Sequence, residues 1–406
     1  MRSEARQHIP ALLGVLVLLA LALLLYHSLA GGTLLESGDY NSYALQAQNW
    51  LEGRNYVANG ENYAWLELAI YNGRYYQSFP PVPALLMLPF VVASGDWQAI
   101  PGNLIAAALA LFCAAGIYLS CMRRGMKPVT CAFFTLFISV GSNLFWMSTS
   151  DGVWFLAQLC GMLFVVWGLF FALGKSRADA ALASLSMALA VGCRPFYALF
   201  LAVWLLWRLL KSRSIARMIP AVLPAMAVAI CLMAYNYARF GNVLEFGHNY
   251  LPEFMRAAEG QFSLSYLWGN LKNLLRPVTL DAQAQLVFEK FNGFMFFVAN
   301  PLFLLAMLRG VWVCLPQGKT RGSDDLPLPS SGIFILFICV LLTLATCMHR
   351  TLGGWQFGAR YMVDLFVWLL VWFMRRRDWT PGAGAWTLCG AAMLLNLYGA
   401  VYMLSN

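Results

Sequence analysis

Charge is scarce in this chain: Asp, Glu, Lys and Arg make up 11% of 406 residues, while 61% are hydrophobic. A soluble globular domain carries about 25% charged residues. That much apolar surface cannot be hidden in one core, so a soluble class is excluded and a polytopic membrane protein is expected. The 10 cysteines are scattered and lack CxxC or CxH spacing. A disulfide framework or zinc centre is therefore excluded, and small core residues are expected instead. Histidine is limited to 4 residues. The net charge of +9 is not a nucleic-acid signal, because the basic residues lie in short clusters between apolar runs.

Long apolar runs are what the chain has in abundance. The first, after "MRSEARQHIP", is about 20 residues long, beyond a usual signal-peptide core. It is read as a retained signal-anchor helix, with cleavage after Ala30 as the alternative. Candidate spans cover 11–30, 99–120, 128–148, 153–173, 178–193, 195–210, 218–238, 291–309, 332–348, 360–374 and 383–404. The expectation is an all-α polytopic membrane protein of about 11 transmembrane helices, folded as one domain over 1–406. The segment 82–94 is short and interrupted by Pro83 and Pro89, so it reads as re-entrant or interfacial.

The clusters Arg2/Arg6, Arg123/Arg124/Lys127, Lys175/Arg177, Arg208/Lys211/Arg213/Arg217, Arg309/Lys319/Arg321 and Arg375/Arg376/Arg377 fall on one side of this layout. The positive-inside rule makes that side and the N-terminus cytoplasmic. The other side then holds two long loops, 31–98 and 239–290. Loops that long are usually functional, so chemistry is expected at the outer face.

Five stretches on that face carry candidate chemistry. In "ESGDYNSYALQAQNWLEG", Asp39 precedes aromatics at helical spacing, among them Tyr40 and Tyr43. Asp39 can cap a helix starting at Tyr40 or reach a ligand, and the two are compatible. In "GRYYQSFPPVPALLMLPF", Tyr76 and the double proline suggest a rigid, extended lead-in to an interfacial helix. In "STSDGVWF", Asp151 opens the next helix, again as a cap or a functional rim acid. "YNYARFGNVLEFGHNY" holds Arg239 and His248, the latter reading better as a hydrogen-bonding loop residue than as a metal ligand. "HRTLGGWQFGARYMVDLF" holds His349, Trp355, Arg360 and Asp364. Arg360 either pairs with Asp364 four residues on or grips a phosphate. Arg194, in "VGCRPFY", either snorkels to the interface or does the same.

Taken in order, these stretches resemble the GT-C superfamily of integral-membrane glycosyltransferases, in the bacterial branch related to protein O-mannosyltransferases and aminoarabinose transferases. The resemblance implies a polyprenyl-phosphate sugar donor and a lipid, glycan or protein acceptor, with no nucleic-acid partner. It implies transfer on the periplasmic face of a bacterial inner membrane. The family's first-loop acid matches Asp39 and its second-loop acid matches Asp151. Many relatives carry adjacent acids in the first loop, whereas Gly38 and Tyr40 flank Asp39 here. Metal use, by Mg or Mn, is therefore left open and Asp39 stands as a lone base. Arg360, Arg194 and Arg239 are the candidates for the donor phosphate, and Tyr40, Tyr43, Tyr76, His248, Trp355 and His349 for the substrate.

Two other classes compete. A lipid-linked glycan flippase should show inverted repeats and midplane polar residues, and neither is evident. A catalytically silent relative acting as a partner subunit is compatible with the missing acidic pair.

Alkaline phosphatase fused within 31–98 or 239–290 should be active, and fused after Lys127 or Arg377 inactive. An active fusion after Arg377 would overturn the layout.

Overall fold

The computed structural model describes residues 2–212, 214–313 and 326–404, with the side chains of residues 2–5 and 311–313 left aside. Arg213, Lys319 and Arg321 of the basic clusters lie outside the described residues, as does the side chain of Arg2. Helices dominate. The first is α1 (Arg2–Leu29), followed by α2 (Ser42–Leu51) and α3 (Val82–Ser94) in and after the first long loop. The central bundle contains α4 (Gly102–Arg123), α5 (Pro128–Ser139), α6 (Asn143–Met147), α7 (Val153–Ala172), α8 (Arg177–Val191), α9 (Ala198–Ser212) and α10 (Ile219–Phe240). The second long loop holds α11 (Pro252–Met255) and α12 (Leu267–Leu274). The chain closes with α13 (Phe296–Ala299), α14 (Leu302–Val313), α15 (Gly332–Cys347), α16 (Phe366–Phe373) and α17 (Ala383–Tyr402).

Among the described residues, six helices are long and apolar enough to cross a membrane, and three further apolar helices are shorter. The expected count of eleven spans is therefore not confirmed. Three expected spans are broken. The 128–148 run is divided between α5 and α6, where Ser142 accepts from the Leu144 amide and starts a new helix. The 291–309 run becomes α13 and α14, divided at Asn300-Pro301 because a residue before proline disfavours the helical region. The 360–374 run begins as a 3₁₀ turn, Arg360–Leu365, before α16.

The first long loop is more ordered than the extended lead-in expected from it. A 3₁₀ segment (Gly60–Leu66) leads into a hairpin of β1 (Leu68–Tyr71) and β2 (Arg74–Gln77). Asn72 and Gly73 turn the chain with φ of 48° and 72°. Both angles lie in the left-handed region, which Asn-Gly tolerates and which suits a two-residue hairpin. The second loop contains a smaller hairpin, β3 (Thr279–Leu280) with β4 (Leu286–Val287).

The two ends of the bundle differ in chemistry. At one end the α8 capping box of Ser176 and Asp179 also receives Arg123, 2.7 Å from the Asp179 carboxylate. Arg124 Nε donates to Met374 O at 3.0 Å, and the Arg309 guanidinium lies 4.3 Å from the Trp379 ring centre. Tyr118 reaches back to His8 near the N-terminus. The basic clusters at Arg123/Arg124 and Arg309 thus meet the start of α1 at one end, and the two long loops gather at the other. The core between them is dense: Trp204, Trp368, Phe133, Phe134 and Phe137 are fully buried. The described cysteines are free, and all but Cys231 and Cys339 are buried.

A polar cross-link ties α6 to the last loop. Asn143 Nδ2 donates to Phe357 O at 2.5 Å, and Asn143 Oδ1 accepts from Asn300 Nδ2 at 2.7 Å and Ala359 N at 3.2 Å. Asn300 Oδ1 in turn accepts from Asn143 N at 3.1 Å. Leaving one such buried group unpaired costs about 1–3 kcal/mol. Asn143→Leu should therefore lower the thermal midpoint of detergent-solubilised protein by several degrees, read by scanning fluorimetry. An unchanged midpoint would show that the cross-link contributes nothing.

Candidate functional site

Asp151 is the anchor of the loop that carries Asp39. It does not cap α7, whose N-cap is Gly152, with no side-chain cap bond. Instead its fully buried carboxylate accepts from Ser37 Oγ and from Gly38 N, both at 2.7 Å. Gly38 and Gly102 allow this approach, since a Cβ would lie 2.9 Å from Asp151 Oδ1 at Gly38 and 1.8 Å from Oδ2 at Gly102. Burial pushes the Asp151 carboxyl upward from its ordinary range, against the lowering effect of the two donors. This geometry lets Asp151 hold the loop and gives it no open face toward a ligand.

Asp39 is exposed. The residue at the α2 N-cap is Asn41, and the helix begins at Ser42, so Asp39 does not cap it. Only its backbone carbonyl is engaged, by Trp65 Nε1 at 3.0 Å. Its carboxylate makes no hydrogen bond or ion pair among the described residues. It sits in a pocket of about 480 Å³ lined by Ser37–Asn41, Trp65, Trp97 and Gln98.

A larger cavity of about 760 Å³ adjoins it, sharing Tyr40 and Trp65 as wall residues. Arg194, His248, His349, Trp355 and Arg360 line this cavity together with Tyr361. The two arginines arrive from residues far apart in the chain, and each guanidinium lies 4.8 Å from the Tyr361 ring centre. The expected Arg360–Asp364 pair does not form, because the 3₁₀ turn rotates position 364 away from the four-residue helical register. Asp364 instead binds Arg194 Nε at 3.0 Å and Nη2 at 2.9 Å, and accepts from Tyr197 Oη at 3.0 Å. Arg194 is thus an ion-paired wall residue, and it does not snorkel. Arg360 donates from Nε and Nη2 to Gly353 O, at 3.2 and 2.9 Å, while Gln158 Nε2 donates to Arg360 O at 2.7 Å. Asp364 pairs with the half-buried Arg194 and leaves the buried Arg360 without a carboxylate among the described residues, while Glu67, Glu245 and Glu253 also line the cavity, so its cationic part is local to the two guanidiniums. That part suits an anion, and the arginine fork suits a phosphate.

The remaining expected residues stand elsewhere. Tyr43, in the first turn of α2, is fully buried against Phe79, and burial pushes its phenol upward. Tyr76 is buried against Phe240. Arg239 is buried too, donating to Gln77 O at 2.7 Å and to Asn236 Oδ1 at 3.2 Å. These three do not line the cavity and hold the loops around it instead. His248 lies at the wall with Nδ1 2.6 Å from Ser78 O, and burial lowers its pKa.

Glu67 also lines the cavity, and nothing in the sequence singled it out. Its backbone has φ 52° and ψ 54°, a left-handed conformation unusual for a residue other than glycine or asparagine. The residue is exposed by surface area, and partial loss of hydration in the cavity pushes its carboxyl upward. Neither signal is visible in "WLELAIYNG". As a test for a divalent cation, the described residues contain no group of three or more His, Cys, Asp or Glu arranged to hold one. The donor set does not fit a metal in this conformation.

No protein-family model matches the chain, and no curated protein matches it. Among solved structures, the Archaeoglobus fulgidus oligosaccharyltransferase in its apo form is similar over 97% of this chain and 56% of its own, with 11% identity and a TM-score of 0.55. ArnT from Cupriavidus metallidurans, bound to undecaprenyl phosphate, aligns over 89% of this chain and 59% of its own, with 14% identity and a TM-score of 0.49. The chain thus spans little more than half the length of these structures. The likeness to the oligosaccharyltransferase supports the all-α membrane fold expected from the sequence.

His349 gives the site a pH dependence. Its Nδ1 lies 2.7 Å from Thr351 O and its Nε2 3.1 Å from Gln261 Nε2, a pattern that suits the neutral ring. Burial lowers its pKa from 6.5 to about 4, with the charges of His248, Arg194 and Arg360 acting in the same direction. A base with a depressed folded pKa contributes stability that is complete above its unfolded value and lost as pH falls. The thermal midpoint should therefore drop between pH 6.5 and about 4, and His349→Gln should drop less. Parallel curves for the two proteins would rule His349 out as the cause.

Proposed function

We propose that this chain is a GT-C-type glycosyltransferase of a bacterial inner membrane. It moves a sugar from a polyprenyl-phosphate-linked donor to a hydroxyl of a lipid, glycan or protein acceptor at the non-cytoplasmic face. The observation that carries this reading is the convergence of Arg194 and Arg360 on Tyr361 in one cavity. That cavity shares walls with the pocket of an unpartnered carboxylate, Asp39.

The chemistry follows from charge. The acceptor O–H loses its proton to Asp39 as the oxygen attacks the anomeric carbon, and such general-base help is worth about 10²–10⁴-fold. The bond from the anomeric carbon to the phosphate oxygen breaks, and its electron pair leaves with the polyprenyl phosphate. Arg194 and Arg360 stabilise the charge that grows there. One displacement without a glycosyl-enzyme inverts the anomeric centre. Asp364 keeps Arg194 in place, and Asp151 keeps the Asp39 loop in place.

The isolated position of Asp39 also favours a second reading, a catalytically silent relative acting as a partner subunit. One assay decides between them: transfer from radiolabelled polyprenyl-phosphate sugars into cell-envelope extract by purified protein. Wild type should transfer label, and Asp39→Asn should lose at least about 100-fold while keeping its thermal midpoint. Arg360→Ala should weaken donor binding at least about tenfold, the scale of one lost charge-assisted contact. No transfer by wild type, with the carrier still bound, would favour the silent partner.

A further inference from the structure

We propose that Glu67 is the sugar-recognising residue of the cavity, accepting a hydrogen bond from a hydroxyl of the transferred sugar. This rests on the donor reading above and adds to it, because the arginines account for the phosphate and not for the sugar.

Three observations place Glu67 in that role. The first is fixation of its carboxylate. Trp154 Nε1 donates to Glu67 Oε2 at 3.0 Å, and Oε1 has no partner among the described residues. One oxygen is held and the other is open to the cavity, as a binding carboxylate needs. A sugar hydroxyl is a hydrogen-bond donor, and a carboxylate accepts such a bond more strongly than a neutral group does.

The second is the backbone. The left-handed conformation of Glu67 lies between the 3₁₀ segment and β1, and Ser78 Oγ donates to its carbonyl at 3.3 Å. Strained residues of this kind persist where the surroundings over-determine them, and they cluster at ligand sites. An ordinary turn at this point would use asparagine or glycine, as the chain does five residues later at Asn72-Gly73.

The third is position. Trp65, two residues earlier, holds the Asp39 carbonyl at 3.0 Å. Trp154, which fixes Glu67, has its ring centre 4.8 Å from that of Tyr40, the neighbour of Asp39. The segment Trp65–Glu67 therefore joins the carboxylate pocket to the arginine cavity. A sugar whose phosphate lies on the arginines and whose anomeric carbon faces Asp39 must pass this junction. Glu67 shares the cavity lining with Glu245 and Glu253 as well as with Arg194 and Arg360. The cavity therefore offers both cationic and acidic partners, with the Trp154 and Tyr40 rings available to pack on the sugar's C–H face.

The test compares binding with and without the sugar. Detergent-solubilised full-length protein is titrated with undecaprenyl phosphate and with undecaprenyl-phosphate glucose, galactose and mannose, by quenching of intrinsic tryptophan fluorescence. Wild type should bind at least one glycosylated carrier about tenfold or more tightly than the bare carrier. Glu67→Gln, which keeps the shape, should lose most of that preference while binding the bare carrier within about threefold of wild type. Glu67→Ala should behave as Glu67→Gln does if its thermal midpoint is retained. The proposal is overturned if wild type prefers none of the glycosylated carriers, or if both variants keep the preference. If wild type fails to bind the bare carrier as well, the donor reading itself fails.

Discussion

The irregular backbone of Gly353–Asp364 lies against the helix bundle, where few polar groups are available and an unanswered peptide group is costly. The rest of the site depends on how that demand is met. Asn143 answers Phe357 and Ala359, Gln158 answers Arg360, and Gln356 Oε1 accepts from Arg360 N at 2.9 Å. Three amide side chains from three elements therefore stand in for the helical hydrogen bonds that this segment does not make. The segment can then turn as a 3₁₀ stretch and present Arg360 to a cavity, which a regular helix start would not do.

The same economy governs charge. A guanidinium held near a bilayer needs a partner, and Asp364 supplies one to Arg194 while Gly353 O supplies a dipole to Arg360. A buried pair is weak evidence for stability, because desolvation offsets much of the attraction. Its consequence here is geometric: Arg194 is fixed near the Tyr361 ring, where Arg360 also lies. The cationic part of the cavity is confined to these two side chains, since Glu67, Glu245 and Glu253 also line it. Asp151 plays a comparable part for the first loop. Its carboxylate exchanges solvent for two short donors and so sets where Asp39 stands. The two acids that look alike in the sequence thus divide into one that is buried and structural and one that is exposed and has no partner among the described residues.

Much of this was legible in the sequence, for reasons that differ from element to element. Low charge and long apolar runs follow directly from the medium, so the membrane class needed no tertiary information. The basic clusters at Arg123/Arg124 and Arg309 converge at one end because topology is written in short loops. The five outer stretches contain Asp39, Asp151, Arg360, His349 and Trp355 because polar and aromatic residues stand out against an apolar background. The hairpin at Asn72-Gly73 was legible too, but the prolines that follow favoured reading an extended linker.

What the sequence by itself determined is the solvent of this protein, its end-to-end asymmetry and a short roster of residues. Composition and charge spacing carry those properties along the chain without reference to contacts. Only the tertiary structure decided which of the roster share a cavity. It brought Arg194 beside Arg360 across the bundle and gave Asp364 to Arg194 in place of its own neighbour. It turned Asp151 and Arg239 inward as supports, and it set Glu67 at the cavity. The reason is that each of these outcomes depends on a long-range partner: Ser37 for Asp151, Gln77 for Arg239, Trp154 for Glu67. Local spacing proposes a pairing such as Arg360 with Asp364, but the helical register it assumes holds only where the backbone remains a helix.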